Sequence, residues 1–237
     1  MISYSALLDW RLVRFDLIVF DLDGTLIDSK LDLALSVNAA RNHAGMPPLD
    51  HDLIYSYVGN GALTLIRRSL GLEASQKQVD SALKFFYEYY QDHMLDNTVL
   101  YPGVQQVLDV LSNEKCILAI LTNKPVHFSS LLVEKLDLTN HFRHIYGGNS
   151  FHSKKPDPHG LNHLMAELAT PKDRTLMVGD SAVDVQTARN AGTVSCGVTY
   201  GLQPETLVDD PPEILVDDIH ELVAIVTNDI PSLSKQL

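Results

Sequence analysis

Two aspartates one residue apart, Asp21 and Asp23, close an apolar run in FDLIVFDLDGTLIDS (residues 15–29), and a Gly-Thr pair follows at once. Uncompensated burial of carboxylates is costly, so acids at the end of a buried strand call for a cation or a proton between them. Other apolar runs also end in polar residues. Thr122-Asn123-Lys124 follows one, Lys155-Pro156 lies in a later loop, and Gly179-Asp180-Ser181 ends another, with Asp184 one helical turn on. If these strands are neighbours, the carboxylates, a hydroxyl, an amide and a lysine meet in one small volume. Hard oxygen ligands with few histidines favour Mg²⁺. Such a set suits phosphoryl transfer. One carboxylate attacks phosphorus, the cation and a lysine neutralise the equatorial oxygens, and a second acid protonates the leaving oxygen.

The elements that must position these residues follow from period and composition. Residues 15–20 are short, apolar and bounded by Asp, which predicts a strand buried on both faces. The same kind of run recurs at 116–122, 144–148, 175–180, 194–199 and 214–216. Between these runs lie the helix-like segments GVQQVLDVLSN, VHFSSLLVEKLD, DPHGLNHLMAEL and DSAVDVQTARNAG, and a last helix is expected from Asp218. That alternation predicts an α/β fold, a Rossmann-like doubly wound parallel sheet, with ligands at the carboxyl ends of its strands. The stretch 30–97 breaks the alternation. Apolar residues recur there at helical spacing, which predicts an all-helical insert directly after the first strand. The expected division is a core of residues 1–29 and 98–237 and an insert of residues 30–97. IDSK leads into the insert and DNTVLYPGV leads out, with Pro102-Gly103 setting a turn. FFYEYY (85–90) is expected as the core stripe of an insert helix, and His141 and His144 as the link between a helix end and a strand.

The chain has 237 residues, 45% of them hydrophobic, which is ample for a packed core. A formal charge of −12 repels polyanions, so nucleic acid and anionic membrane are not expected partners. The two cysteines, Cys116 and Cys196, sit in apolar runs without metal-ligand spacing and are read as reduced thiols of a cytoplasmic protein. The stretch MISYSALLDWRLVRF has no basic start followed by an apolar core, so no export signal is expected. A monomer or homodimer is expected.

Four short motifs, in order, resemble those of the haloacid dehalogenase-like phosphatase superfamily across nearly the whole chain. They are DLDGTLIDS, the Thr-Asn of ILTNK, the Lys of KKPDP, and VGDSAVD. Within that superfamily the chain is similar to the phosphoglycolate phosphatase-like group. The resemblance implies Asp21 as the nucleophile that forms an aspartyl-phosphate and Asp23 as the general acid/base. It implies that the Asp21 carboxylate, the Asp23 backbone carbonyl and the Asp180 carboxylate hold Mg²⁺, with Asp184 supporting that site from behind. Thr122 and the Asn123 backbone would bind phosphoryl oxygens. Lys155, which directly precedes Pro as the family's lysine does, is chosen over Lys154 to bridge phosphate and nucleophile.

The insert resembles the superfamily's helical cap, a lid that admits a small phosphorylated metabolite and disfavours macromolecules. VGNGALTLIRRSL (58–70) resembles its substrate-facing segment, with Arg68 at the matching arginine position. A helix N-terminus plus an arginine is a reasonable seat for a small carboxylate. Asn60 and Arg68 are therefore carried as substrate contacts, although an arginine on a helix serves equally well as solvated surface. Tyr57 stands where the group carries Trp, and Arg67 adds a charge.

The expectation is a Mg²⁺-dependent phosphatase of a small phosphomonoester, with 2-phosphoglycolate as the first choice. A sugar phosphomutase of the same superfamily, a phosphatase of another sugar phosphate or nucleotide, and a catalytically silent binding protein on this scaffold are the alternatives. A dehalogenase would lack the acid at Asp23. A phosphonoacetaldehyde-type hydrolase would need a cap lysine, and Lys30, Lys77 and Lys84 lie in no matching motif.

Overall fold

Strand β1 (Leu17–Phe20) is buried along its whole length, because it is the centre of a parallel sheet with a layer of helices on each face. A computed structural model describes residues 14–227. The first residues, read above for an export signal, and the last ten residues of the expected core lie outside the described residues. β1 is flanked by β4 (Ile117–Leu121) and β6 (Thr175–Gly179). Beyond β4 lies β5 (Phe142–Tyr146), and beyond β6 lie β7 (Val194–Val198) and β8 (Ile214–Val216). All five pairings are parallel.

From β1 the chain moves outward through β4 and β5, then returns past β1 to build β6, β7 and β8 on the other side. This reversal opens a crevice at the carboxyl end of β1, where doubly wound sheets bind ligands. Phe20 stands level with both Ile120 and Val178. Asp21, Thr122 and Asp180, which follow β1, β4 and β6, therefore emerge at the same edge of the sheet.

Alternation along the strands sorts the core. Leu17, Val19, Ala119, Leu121 and Met177 pack with Leu161 and Leu164 of α7 (His159–Glu167) and Ala188 of α8 (Ala182–Ala191). Ile18, Phe20, Leu118, Ile120 and Val178 face the opposite layer. There α5 (Val104–Asn113), α6 (Val126–Lys135) and α9 (Glu221–Thr227) contribute Leu108, Leu132 and Leu222. The strand expected over 144–148 lies instead at Phe142–Tyr146. Gly147 and Gly148 leave the sheet, and a Cβ on Gly148 would stand 2.4 Å from the Asn123 carbonyl oxygen. That glycine serves close backbone passage at the crevice rather than strand pairing.

Between β2 (Ile27–Asp28) and β3 (Val99–Leu100) the chain forms only helices: α1 (Lys30–His43), α2 (His51–Tyr55), α3 (Ala62–Leu70) and α4 (Gln76–His93). The FFYEYY stripe falls in α4, with Phe86 and Tyr90 buried. β2 and β3, read from sequence only as connecting segments, pair antiparallel through Ile27↔Leu100 and Asp28↔Val99. Two-residue strands are too short for a period to reveal. No helix among the described residues is long and apolar enough to cross a membrane.

Asp32, in the first turn of α1, ties the start of the insert to its end. Its carboxylate is 1% exposed. It accepts from the Asn97 and Thr98 amides, the Asn97 side-chain amide and the Thr98 hydroxyl at 2.7–3.1 Å. Hydrogen bonds to a charged acceptor are the stronger kind, and removing the acceptor leaves buried donors unpaired. Replacement Asp32→Ala is expected to lower the unfolding free energy by about 3 kcal/mol, read from urea titration; a change within error would show that water replaces the carboxylate.

Candidate active site

Asp21 begins where β1 ends, its amide donating to the Val178 carbonyl at 2.9 Å. One carboxylate oxygen accepts from the Leu22 amide at 2.7 Å and lies 3.0 Å from Lys155 Nζ. Lys155 is 3% exposed and donates to Asp184 Oδ1 at 2.6 Å. The other oxygen of Asp184 accepts from the Ser181 hydroxyl and amide at 2.8 and 3.2 Å. Asp180 Oδ2 accepts from the Leu202 and Gln203 amides at 2.6 and 3.2 Å. Asp21, Asp180 and Asp184 are all buried and present oxygens within 4.8 Å of one another.

Lys155 pairs with two of the three buried carboxylates, Asp21 and Asp184, and the acidities of Asp21 and Asp180 show the imbalance. Burial pushes Asp21 up to about 6, with Lys155 pulling it down and Asp184 pushing it further up. Burial, then Asp184 and Asp21, hold Asp180 well above the ordinary carboxylate range. Burial alone would lower Lys155, but Asp184 and Asp21 outweigh it and raise its affinity for the proton. Such a set fits a hard divalent cation, because all its donors are oxygens and a positive ion relieves their repulsion. The backbone is shaped around it. Gly24 has φ of +84°, and a Cβ there would stand 2.2 Å from Asp180 Oδ2, so no other residue fits the turn after Asp23.

Asp23 belongs to a different network. Its carboxylate accepts from the Ser29 hydroxyl at 2.5 Å and from Lys124 Nζ at 3.0 and 3.1 Å. Lys124 also donates to the Tyr90 hydroxyl at 2.7 Å, its nitrogen 4.6 Å from the centre of that ring. Burial disfavours the Lys124 ammonium, yet Asp23 and Tyr90 more than compensate and raise its pKa. Burial pushes the Tyr90 hydroxyl up to about 12. No role is expected for Lys124, Tyr90 or Ser29 from the sequence alone. The available signal for Lys124 is its place at the end of β4; Tyr90 is concealed by the apolar stripe it belongs to.

Besides Tyr90, the helical insert meets the core at this crevice through residues 55–60. Asn123 donates its side-chain amide to the Gly59 and Lys155 carbonyls at 2.9 and 3.0 Å. Lys154 Nζ donates to the Asn60 carbonyl at 2.6 Å. The Gln203 side chain donates to the Tyr55, Ser56 and Val58 carbonyls at 3.0–3.3 Å. Asn123 Oδ1 is buried without a partner, a position that an entering donor satisfies. The lysine pair is thus divided, with Lys155 turned into the acidic cluster and Lys154 toward the insert.

Asp21, Asp23, Thr122, Asn123 and Asp180 line one cleft, with Lys155 and Asp184 packed behind Asp21. Among the described residues, the hydrogen bond that joins Asn60 to the core is the one its carbonyl accepts from Lys154. Arg68 is exposed and does not line the cleft. The reason is helical phase: Leu65, Ile66, Ser69 and Leu70 are the buried positions of α3, which leaves Arg67 and Arg68 on the opposite side. That phase is legible in LTLIRRSL, and Arg67 is occupied with Gln76 at 2.7 Å.

The comparisons agree with this geometry. The model of the haloacid dehalogenase-like hydrolase family matches residues 18–198. A phosphoglycolate phosphatase of Pseudomonas putida is 39% identical over 214 residues, 87% of this chain and 78% of that protein. A phosphoglycolate phosphatase of Vibrio cholerae is 39% identical over 219 residues, covering 89% of this chain and 96% of its own. The crystal structure of a predicted phosphoglycolate phosphatase from Haemophilus somnus superposes with a TM-score of 0.86 at 31% identity, over 90% of this chain and 99% of that one. With its crevice at the end of β1 and four motifs that converge there, the chain belongs to the haloacid dehalogenase-like hydrolase family.

Proposed function

We propose that the chain is a Mg²⁺-dependent phosphomonoesterase whose substrate is 2-phosphoglycolate. The observation that carries the chemistry is the convergence of Asp21, Asp180 and Asp184 at the switch point of the sheet, with Lys155 paired to Asp21 and Asp184. The substrate choice rests on the phosphoglycolate phosphatases that resemble the chain over most of its length. Residues 30–97 act as the cap over a core of 1–29 and 98–237. The free thiols of Cys116 and Cys196 support a reducing, cytoplasmic setting.

Each step then falls to a named residue. Asp21 attacks phosphorus through its carboxylate, and the bond to the leaving oxygen breaks. Asp23, protonated once the substrate is bound, gives that oxygen its proton. Thr122 and the Asn123 backbone hold the phosphoryl oxygens, and Lys155 offsets charge developing beside Asp21. Asp23 next takes a proton from water, which attacks the aspartyl-phosphate, releases phosphate and restores Asp21. The Asp21 and Asp180 carboxylates and the Asp23 carbonyl would hold Mg²⁺, which would supply positive charge against the phosphoryl group. Asp184 keeps Lys155 in place. The cap excludes water from the first step.

Phosphate release from 2-phosphoglycolate is expected to cease with a chelator, to return with added Mg²⁺, and to be absent in Asp21→Asn; turnover by that variant would remove Asp21 as nucleophile. Asp23→Asn is expected to slow alkyl phosphates by about 10²- to 10⁴-fold and aryl phosphates less. Equal slowing of both classes would contradict its role as an acid. Lys155→Met is expected to lower kcat by about 10²- to 10³-fold, measured beside thermal unfolding to separate catalysis from the loss of a buried cation.

A further inference from the structure

2-Phosphoglycolate differs from a neutral alkyl phosphate by a carboxylate on its leaving group, and a buried carboxylate needs a cationic or strongly donating partner. Among the described residues that line the cleft, Lys124 is the sole lysine or arginine. Lys155 sits behind Asp21 and is engaged by Asp21 and Asp184. Lys154 is tied to the Asn60 carbonyl. Arg67 and Arg68 are exposed on α3.

Lys124 has the right place and carries the charge. An ammonium group carries three N–H donors. They reach the two Asp23 oxygens at 3.0 and 3.1 Å and the Tyr90 hydroxyl at 2.7 Å, so an entering carboxylate shares the ammonium with Asp23. A general acid stands about 3 Å from the oxygen it protonates, and in 2-phosphoglycolate the carboxylate carbon is two bonds beyond that oxygen. A leaving group served by Asp23 therefore brings its carboxylate within reach of Nζ. The cleft wall around this point is apolar, with Leu33, Val58, Leu65, Phe86 and Phe128.

We propose that Lys124 is the specificity-determining residue of the cleft, its ammonium, steadied by Tyr90 of the helical insert, recognising a carboxylate on the leaving group. This rests on the phosphomonoesterase reading above. It also moves recognition of the acid from Arg68, on the surface, to a residue at the floor of the cleft.

The test is the ratio of kcat/KM for 2-phosphoglycolate and 2-phospholactate to that for ethyl phosphate, in the full chain with Mg²⁺. The unsubstituted protein is expected to favour the acidic esters. Lys124→Met is expected to reduce that ratio by about tenfold to a hundredfold, chiefly through KM for the acidic esters, and Lys124→Arg to retain part of it. Damage to Asp23 slows all three esters and cancels in the ratio. An unchanged ratio in Lys124→Met assigns the lysine to Asp23 alone and overturns the proposal while leaving the phosphatase reading intact. Absence of any preference in the unsubstituted protein overturns both the proposal and the choice of 2-phosphoglycolate. Where thermal unfolding shows that Lys124→Met does not fold, Tyr90→Phe decides. That variant keeps the ring and removes the hydroxyl, the ratio is expected to fall several-fold, and an unchanged ratio overturns the proposal.

Discussion

Three carboxylates, Asp21, Asp180 and Asp184, are buried together with the single ammonium of Lys155, and their mutual repulsion is the constraint around which the rest of the molecule is arranged. A set of like charges in a low-dielectric pocket persists only when hydrogen bonds and counter-charge hold it. Backbone amides supply part of that hold, at Leu22 for Asp21 and at Leu202 and Gln203 for Asp180. The residual imbalance raises Asp21 and Asp180, and it suits the cluster to a divalent ion. A parallel sheet is well matched to this task, since it delivers the ends of β1, β4 and β6 to one edge while burying everything beneath them.

The helical insert is joined to that cluster by shared residues rather than by packing alone. Gln203 holds Asp180 with its backbone amide and the 55–58 turn with its side chain. Asn123 follows β4 and donates to Gly59. Lys124 touches Asp23 of the core and Tyr90 of the insert. The position of the insert and the arrangement of the acids are thus mechanically linked, and the same contacts that hold the insert over the crevice set what surrounds Asp23. Asp32 completes the link by fastening the segment that leaves the core to the one that returns.

Much of this was legible because the fold places chemistry at predictable points. Short apolar runs ending in Asp21, Thr122 and Asp180 announce strands whose carboxyl ends matter, and helical spacing between 30 and 97 announces the insert. Period fails where elements are too short, as at β2 and β3. It also misled at 144–148, where the two glycines that extend the apolar run serve a close backbone approach. Arg68 matched a motif position, yet the phase of α3 turns it to solvent.

Residue type and order by themselves determined the parallel α/β scaffold, the acids at the ends of its strands, and the choice of Lys155 for the cluster, since these depend on local pattern and on motifs read along the chain. Only the tertiary structure decided that Lys124 pairs with Asp23, 101 positions away in sequence, that Tyr90 completes the pair, and that Gln203 joins the insert to the acids. The physical reason is that an ion pair or a hydrogen bond is set by distance and burial. Neither is a property of one residue or its neighbours in sequence, and both exist only once the sheet has brought distant segments to a common edge.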